Sequence, residues 1–172
     1  MTKHPKPAKR VTKRIRRKEG DVVKINLGKR GYAYGRVLYD PHMAFYDFQS
    51  SSPVDVETAI SKPVAFVIAV MHEPIKTGRW PVIGNVPLEH ELTKQFRFCR
   101  QDALNPKNLS IVWMVDRGPD EVLIPATFEE CQGLEPDAVW YDYHVEDRLR
   151  DHFAKRPCKW VESLRIKRPT HE

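Results

Sequence analysis

Short strand-like segments, separated by glycine or proline, follow one another through most of this chain. In GDVVKINL (20–27), Val23, Ile25 and Leu27 alternate with polar residues, and GYAYGRVLY (31–39) follows after a glycine-containing turn. Alternation with a period of two predicts a half-buried strand, and two such segments joined by a short turn predict a β-hairpin. The pattern therefore favours a sheet built mainly from antiparallel strands.

The next segments extend this pattern. Asp40-Pro41 separates the hairpin from a third strand, HMAFYDF (42–48), and Ser52 or Asp55 can cap a short helix that follows. The eight-residue run VAFVIAVM (64–71) is apolar on both faces, so we predict that it is the central strand of the sheet, covered on both sides.

The second half of the chain supplies further strands and one helix. The strand candidates are WPVIG (80–84), FRFCRQ (96–101), LSIVWMV (109–115) and EVLIP (121–125). Val145, Leu149 and Phe153 recur at helical spacing and predict an amphipathic helix near the C-terminus. The predicted fold is α+β: a mainly antiparallel sheet or partly open barrel of about six to eight short strands, with a short helix after the third strand and a C-terminal amphipathic helix.

Charge divides the chain into two parts. Nine of its 29 Lys and Arg residues, and none of its 23 acids, lie in residues 1–18. The remainder therefore holds 20 bases against 23 acids and has a net charge of −3. We predict a disordered basic arm over residues 1–18 and a single α+β domain over residues 19–172.

Cysteine usage and hydropathy bear on the location of the protein. Cys99, Cys131 and Cys158 are widely spaced and form no CxxC pair, which predicts reduced thiols and a cytoplasmic protein. The longest apolar run has eight residues, whereas a spanning helix needs about 20. We therefore expect no membrane partner, and the N-terminus lacks the apolar segment of a secretory signal.

The stretch GKRGYAYGRV (28–37) resembles a nucleic-acid-binding strand, because Tyr32 and Tyr34 alternate beside basic residues. Val37 stands where the ribonucleoprotein pattern requires a third aromatic, and no helix separates the first two strands, so an RNA recognition motif is excluded. The strand-turn-strand pattern of this stretch agrees better with a cold-shock-like barrel, although Ile25 stands where that fold expects an aromatic residue. We expect cross-strand packing for both tyrosines and only weak nucleic-acid binding through the basic arm.

The histidines follow no recognisable catalytic or zinc-binding spacing, and the chain has no HExxH, GxSxG or P-loop motif. His42, Asp47 and His72 lie at the ends of predicted strands and could converge in space. They are the residues that a hydrolase would use around a metal or a water molecule. No cofactor is expected otherwise, and a divalent metal is expected only under this hydrolase hypothesis.

Four segments in the order GDVVKINL, YAYGRVLYDPHMAFYD, GRWPVIGNVPL and FRFCRQD resemble the bacterial immunity protein 26 family, over about residues 18–155. Members of that family guard cells against polymorphic toxins. The resemblance implies a protein that binds and neutralises a protein toxin without chemistry of its own. The same group includes proteins labelled phosphotriesterase HocA, which implies a small organophosphate hydrolase as the alternative. A TIM-barrel phosphotriesterase is excluded, because that barrel needs about 200 residues or more.

Aromatic and arginine side chains dominate the binding energy of protein interfaces. On that ground the candidate toxin-binding residues are Tyr34, Arg36, Tyr46, Asp47, Arg79 and Trp80. Trp80 precedes Pro81, which favours an extended conformation and a stiff loop. The loop can present the indole outward or hold it inside. We predict that most of the Trp80 indole fills the core, with Arg79 exposed beside it.

Overall fold

The computed structural model describes residues 15–168, and within this range the chain has an α+β fold. The strands are β1 (Asp21–Asn26), β2 (Tyr32–Val37), β3 (His42–Ser50), β4 (Val64–Val70), β5 (Val82–Asn85), β6 (Phe98–Gln101), β7 (Leu109–Met114), β8 (Glu121–Ala126), β9 (Glu135–Pro136) and β10 (Val139–Trp140). The helices are α1 (Val56–Ile60), α2 (Glu73–Lys76), α3 (Asp142–Phe153) and α4 (Lys159–Leu164).

The strands form two open, mostly antiparallel sheets. The first has the order β10-β4-β3-β2-β1-β5, and the second has the order β8-β7-β6-β9. The α+β class and the late amphipathic helix α3 are therefore confirmed, while the ten strands of the described range exceed the six to eight expected. The two extra strands, β9 and β10, have two residues each and run parallel to their partners, so no local alternation signals them.

The first three strands and α1 form where local chemistry predicts them. β1 and β2 pair in antiparallel register across a turn that ends at Gly31, whose φ is 82°. A Cβ atom there would lie 2.1 Å from the carbonyl oxygen of Ser50, so only glycine fits this close approach. The Asp55 side chain accepts a hydrogen bond of 2.8 Å from the backbone N–H of Thr58, which caps α1.

The position predicted for VAFVIAVM is wrong, although its burial on both faces is confirmed. β4 lies second from the edge of the first sheet, between β3 and the short β10, while β3 and β2 occupy the centre. Ile68 packs in the cluster beneath α3, and Val67 packs in the cluster that joins the second sheet. An apolar run reports how many faces of a strand are covered, and it carries no information about strand order.

The core lies on both faces of the first sheet. On one face, Val145 and Leu149 of α3 pack with Ile68 and Trp80 in the largest buried cluster. On the other face, residues such as Val67 pack against Phe98 of β6, so the second sheet covers part of the first. None of the helices within residues 15–168 is long and apolar enough to cross a membrane.

The ordered body begins before residue 19. Residues 1–14 of the predicted basic arm lie outside the described residues, but Arg17 is in contact with the sheet. Its guanidinium donates to the carbonyl oxygens of Val70 at 2.9 Å, Pro41 at 2.6 Å and His42 at 2.8 Å. The last part of the range predicted as an arm is therefore attached to the domain, because these three carbonyls accept hydrogen bonds from a single fork-shaped cation.

Candidate interaction surface

Four of the six residues proposed as toxin-binding anchors are inside the protein. At most 1% of each is exposed, and they are Tyr34, Arg36, Tyr46 and Trp80. The Tyr34 hydroxyl accepts a hydrogen bond from the backbone N–H of Val54 at 2.9 Å, and Arg36 donates to the carbonyl oxygens of Val86 and Pro87 at 2.7 and 2.8 Å. In this conformation these side chains fasten loops to the sheet and present no surface to a partner.

Trp80 and Arg79 have the arrangement predicted for them. The indole is fully buried, while half of the Arg79 side chain is exposed. Both are held by Glu146 of α3, which accepts from Trp80 Nε1 at 3.1 Å and from Arg79 through two hydrogen bonds of 2.8 and 2.9 Å. Sequence reasoning missed Glu146, since nothing local pairs it with a loop 66 residues away.

The environment of Glu146 favours its charged form. Burial by itself raises the pKa of this carboxyl, but hydrogen bonds from Arg79 and Trp80 and the charges of Arg79 and Arg150 outweigh burial. The net pKa is below its usual value. The carboxylate thus ties α3 to the Trp80 loop and to the core beneath, and this makes the start of α3 a fixed part of the surface.

The three residues of the hydrolase hypothesis lie in different surroundings. His42 is buried and stacks on the ring of Phe98 at 4.7 Å, whereas Asp47 and His72 are exposed. Asp47 lies within 2.7 Å of His152, and His72 lies within 2.8 Å of Asp40. Residues 15–168 contain no group of three or more His, Cys, Asp or Glu side chains that could hold a metal ion. Within the described residues, His42, Asp47 and His72 thus have three different neighbours.

A different set of side chains forms an exposed apolar surface, here called the aromatic edge: Met71, Val139, Tyr141 and Tyr143. Their exposed fractions are 39%, 51%, 49% and 47%. The backbone brings them together, because β10 runs beside β4 and the N–H of Met71 donates to the carbonyl oxygen of Trp140 at 3.0 Å. The rings of Tyr141 and Tyr143 stack with centroids 5.8 Å apart.

Packing below the aromatic edge fixes the orientation of its rings. Tyr143 contacts Trp160 of α4 edge to face at 5.9 Å, and His144 lies against the same indole at 3.8 Å. Trp160 Nε1 in turn donates to Asp147 at 3.0 Å. Because these neighbours hold the rings before any partner arrives, binding there would lose little side-chain entropy.

Single exposed hydrophobic residues are normal on protein surfaces, but adjacent ones mark interaction sites. The aromatic edge contains two tyrosines, a residue type enriched among the side chains that carry binding energy. Sequence reasoning missed this surface, although the run WYDYH (140–144) was its available signal: Trp140 points inward, and Tyr141 and Tyr143 are exposed. A well-packed scaffold with such an edge is typical of a protein that binds another protein.

The chain belongs to the immunity protein 26 family, because the family model described as Immunity protein 26 matches residues 18–110, more than half of its length. The match covers β1 to β6, and within the aromatic edge it includes Met71 only. No curated protein and no solved structure shows a significant match to this chain.

Proposed function

We propose that this protein neutralises a bacterial protein toxin by binding it, and that the toxin docks on the aromatic edge. Membership of the immunity protein 26 family supports the immunity role. The docking surface is supported by four exposed side chains, Met71, Val139, Tyr141 and Tyr143. The pairing of β10 with β4 and the stacking of the two tyrosines bring them to one edge of the first sheet.

Inhibition by occlusion requires a rigid surface and no reacting groups. Tyr141 precedes α3 and Tyr143 lies in its first turn, and α3 is anchored by Glu146 to Arg79 and Trp80. The buried anchors therefore serve binding indirectly, by keeping the aromatic edge in one arrangement. A toxin that covers this edge gains buried apolar area without having to order the surface first.

The test is to measure binding of the cognate toxin domain to variants of the aromatic edge. Tyr141→Ala and Tyr143→Ala should each weaken binding by about 2 kcal/mol or more, which is roughly thirtyfold, if these rings are central anchors. Leu104→Ala is the matched control, because Leu104 is 97% exposed in another loop. Calorimetric affinities should be read beside growth of toxin-expressing cells and beside melting curves.

Unchanged affinity of both tyrosine variants, with native melting curves, would mean that the toxin docks elsewhere. Loss of toxin resistance without loss of stability is the result expected of each. Failure of the unaltered protein to bind or to protect would contradict the immunity role itself.

A further inference from the structure

A cleft of about 530 Å³ lies between residues 15–19, the end of β2 and the turn after β7. It is also lined by His72, the residue that follows Met71 of the aromatic edge. Four basic side chains contribute to its lining: Arg16, Arg17, Lys76 and Arg117. Its acidic side chains are Glu19 and Asp40, so the lining carries more positive than negative charge.

Arg17 is a partly buried cation at this cleft. Its terminal nitrogens are occupied by three backbone carbonyls, and its buried Nε has no hydrogen-bond partner among the described residues. Burial lowers the pKa of Arg17 to about 10, and Asp40 and Asp21 oppose this from a distance. Residues 1–14 contain no acid at all, so that segment cannot supply a carboxylate to this guanidinium.

Arg117 is held at the same cleft by an unusual backbone. Asp116 and Arg117 both have positive φ values, of 46° and 61°, a conformation that non-glycine residues adopt only under constraint. The guanidinium lies 5.6 Å from the ring centre of Tyr39 and donates to Glu19 at 2.6 Å. Its Nε is also buried and lacks a hydrogen-bond partner in the described part of the chain. This backbone thus places a second arginine at the cleft, paired with Glu19 and with its Nε buried.

We propose that this cleft is an oxyanion site that receives a carboxylate from an acidic segment of the toxin. The inference rests on the proposed function and adds the chemistry of the partner. Arginine N–H groups bind carboxylates through charge-assisted hydrogen bonds, which the exposed Arg16 of the lining can donate. An anion here would also compensate the excess positive charge of the lining. Arg17 bonds to Val70, the residue before Met71 of the aromatic edge, so one partner can cover both features. The toxin surface is then apolar beside an Asp- or Glu-rich segment.

A protein carboxylate is favoured over a nucleic-acid phosphate because no exposed tyrosine, phenylalanine or tryptophan lines the cleft within residues 15–168. Tyr34 is buried, and Tyr39 is 4% exposed and lies beneath Arg117. Sequence-tolerant binding of single strands depends on exposed aromatic rings that stack bases.

The site can be tested with two probes on the full-length, ¹⁵N-labelled protein: a hexaglutamate peptide and a hexathymidylate oligonucleotide. The readout is the Nε–Hε resonances of Arg17 and Arg117. We expect saturable shifts of both resonances with hexaglutamate, and about tenfold weaker binding in Arg117→Gln and in Arg16→Gln. Arg30→Gln, which removes a charge at the distant β1–β2 turn, is the matched control and should bind as the unaltered protein does.

Three other outcomes of these titrations would overturn the inference. Absence of saturable shifts would mean that the cleft binds no carboxylate. Binding that persists unchanged in Arg117→Gln would belong to the basic arm, and stronger, saturable shifts with hexathymidylate would assign the cleft to a phosphate. Toxin binding separates this inference from the proposed function: Arg117→Gln should weaken it about tenfold, additively with Tyr141→Ala. Full affinity of Arg117→Gln with lost affinity of Tyr141→Ala would reject the cleft alone.

Discussion

Replacement of His42 by phenylalanine should remove a specific loss of stability in acid. His42 lies between the rings of Tyr39 and Phe98, and its pKa is lowered from 6.5 to about 4. Burial is the main cause, the charge of Arg17 adds to it, and Asp40 opposes both. Phenylalanine keeps a flat ring in this position and cannot be protonated.

The direction of this pH effect on stability follows from the protonation of His42 in the unfolded and folded protein. The unfolded protein takes up a proton at His42 below about pH 6.5, whereas the folded protein does so only near pH 4, so stability falls as the pH decreases through this window. At about 1.4 kcal/mol per pKa unit, the whole window corresponds to about 3 kcal/mol. Between pH 7 and pH 5 the unaltered protein should lose about 2 kcal/mol of this stability, which lowers its melting temperature by about 4–8 °C.

Denaturant unfolding at pH 7 and pH 5 tests this prediction. Other titrating groups lower the free energy of unfolding equally in both proteins. Between pH 7 and pH 5, the free energy of unfolding of His42→Phe should therefore rise by about 2 kcal/mol relative to that of the unaltered protein. His72→Gln, an exposed histidine paired with Asp40, is the control and should follow the unaltered protein. An equal acid-induced loss in His42→Phe and in the unaltered chain would refute the reasoning.

The remaining predictions concern stability and are all measured by denaturant or thermal unfolding. Ile68→Ala should cost about 2–5 kcal/mol by lost burial and a cavity, and native stability of this variant would place β4 outside the core. Trp80→Ala should cost about 3–5 kcal/mol, because a fully buried ring is removed and Glu146 loses a donor; a native-like melting curve would contradict this. Deletion of residues 1–14 should change the melting temperature by less than about 2 °C, whereas Arg17→Gln should lower it by about 4–8 °C. Equal effects of the two changes would show that the three carbonyl contacts of Arg17 do not stabilise the fold.

Local patterns were sufficient for the elements whose causes are local. Alternation located β1, β2 and β3, and of the two predicted caps of α1, Ser52 and Asp55, the structure shows Asp55. The strand order could not be obtained in this way, because it depends on which segments meet across the sheet. The parallel pairing of β10 with β4 joins Val139 to Ala69, and no turn residue or periodicity encodes such a contact.

In the candidate site too, local sequence predicted some features correctly and failed for others. The stiff loop before Pro81 allowed the Trp80 indole to lie outside or inside, and the prediction of a buried Trp80 beside an exposed Arg79 was confirmed. Residue type alone also selected Tyr34 and Tyr46 as anchors, although both are buried. A tyrosine is equally suited to a core with a hydrogen-bond partner and to an interface, so composition cannot separate the two. Only the packed structure distinguishes them from Tyr141.

Hydrogen–deuterium exchange of the protein, free and bound to its toxin, tests most directly whether the aromatic edge is the docking surface. We expect bound toxin to protect residues 139–144 and the backbone around Met71, together with the turn at Arg117, while the outer edge of β8 exchanges as in the free protein. Protection confined to β8 or to the β1–β2 turn, with residues 139–144 unchanged, would contradict the account.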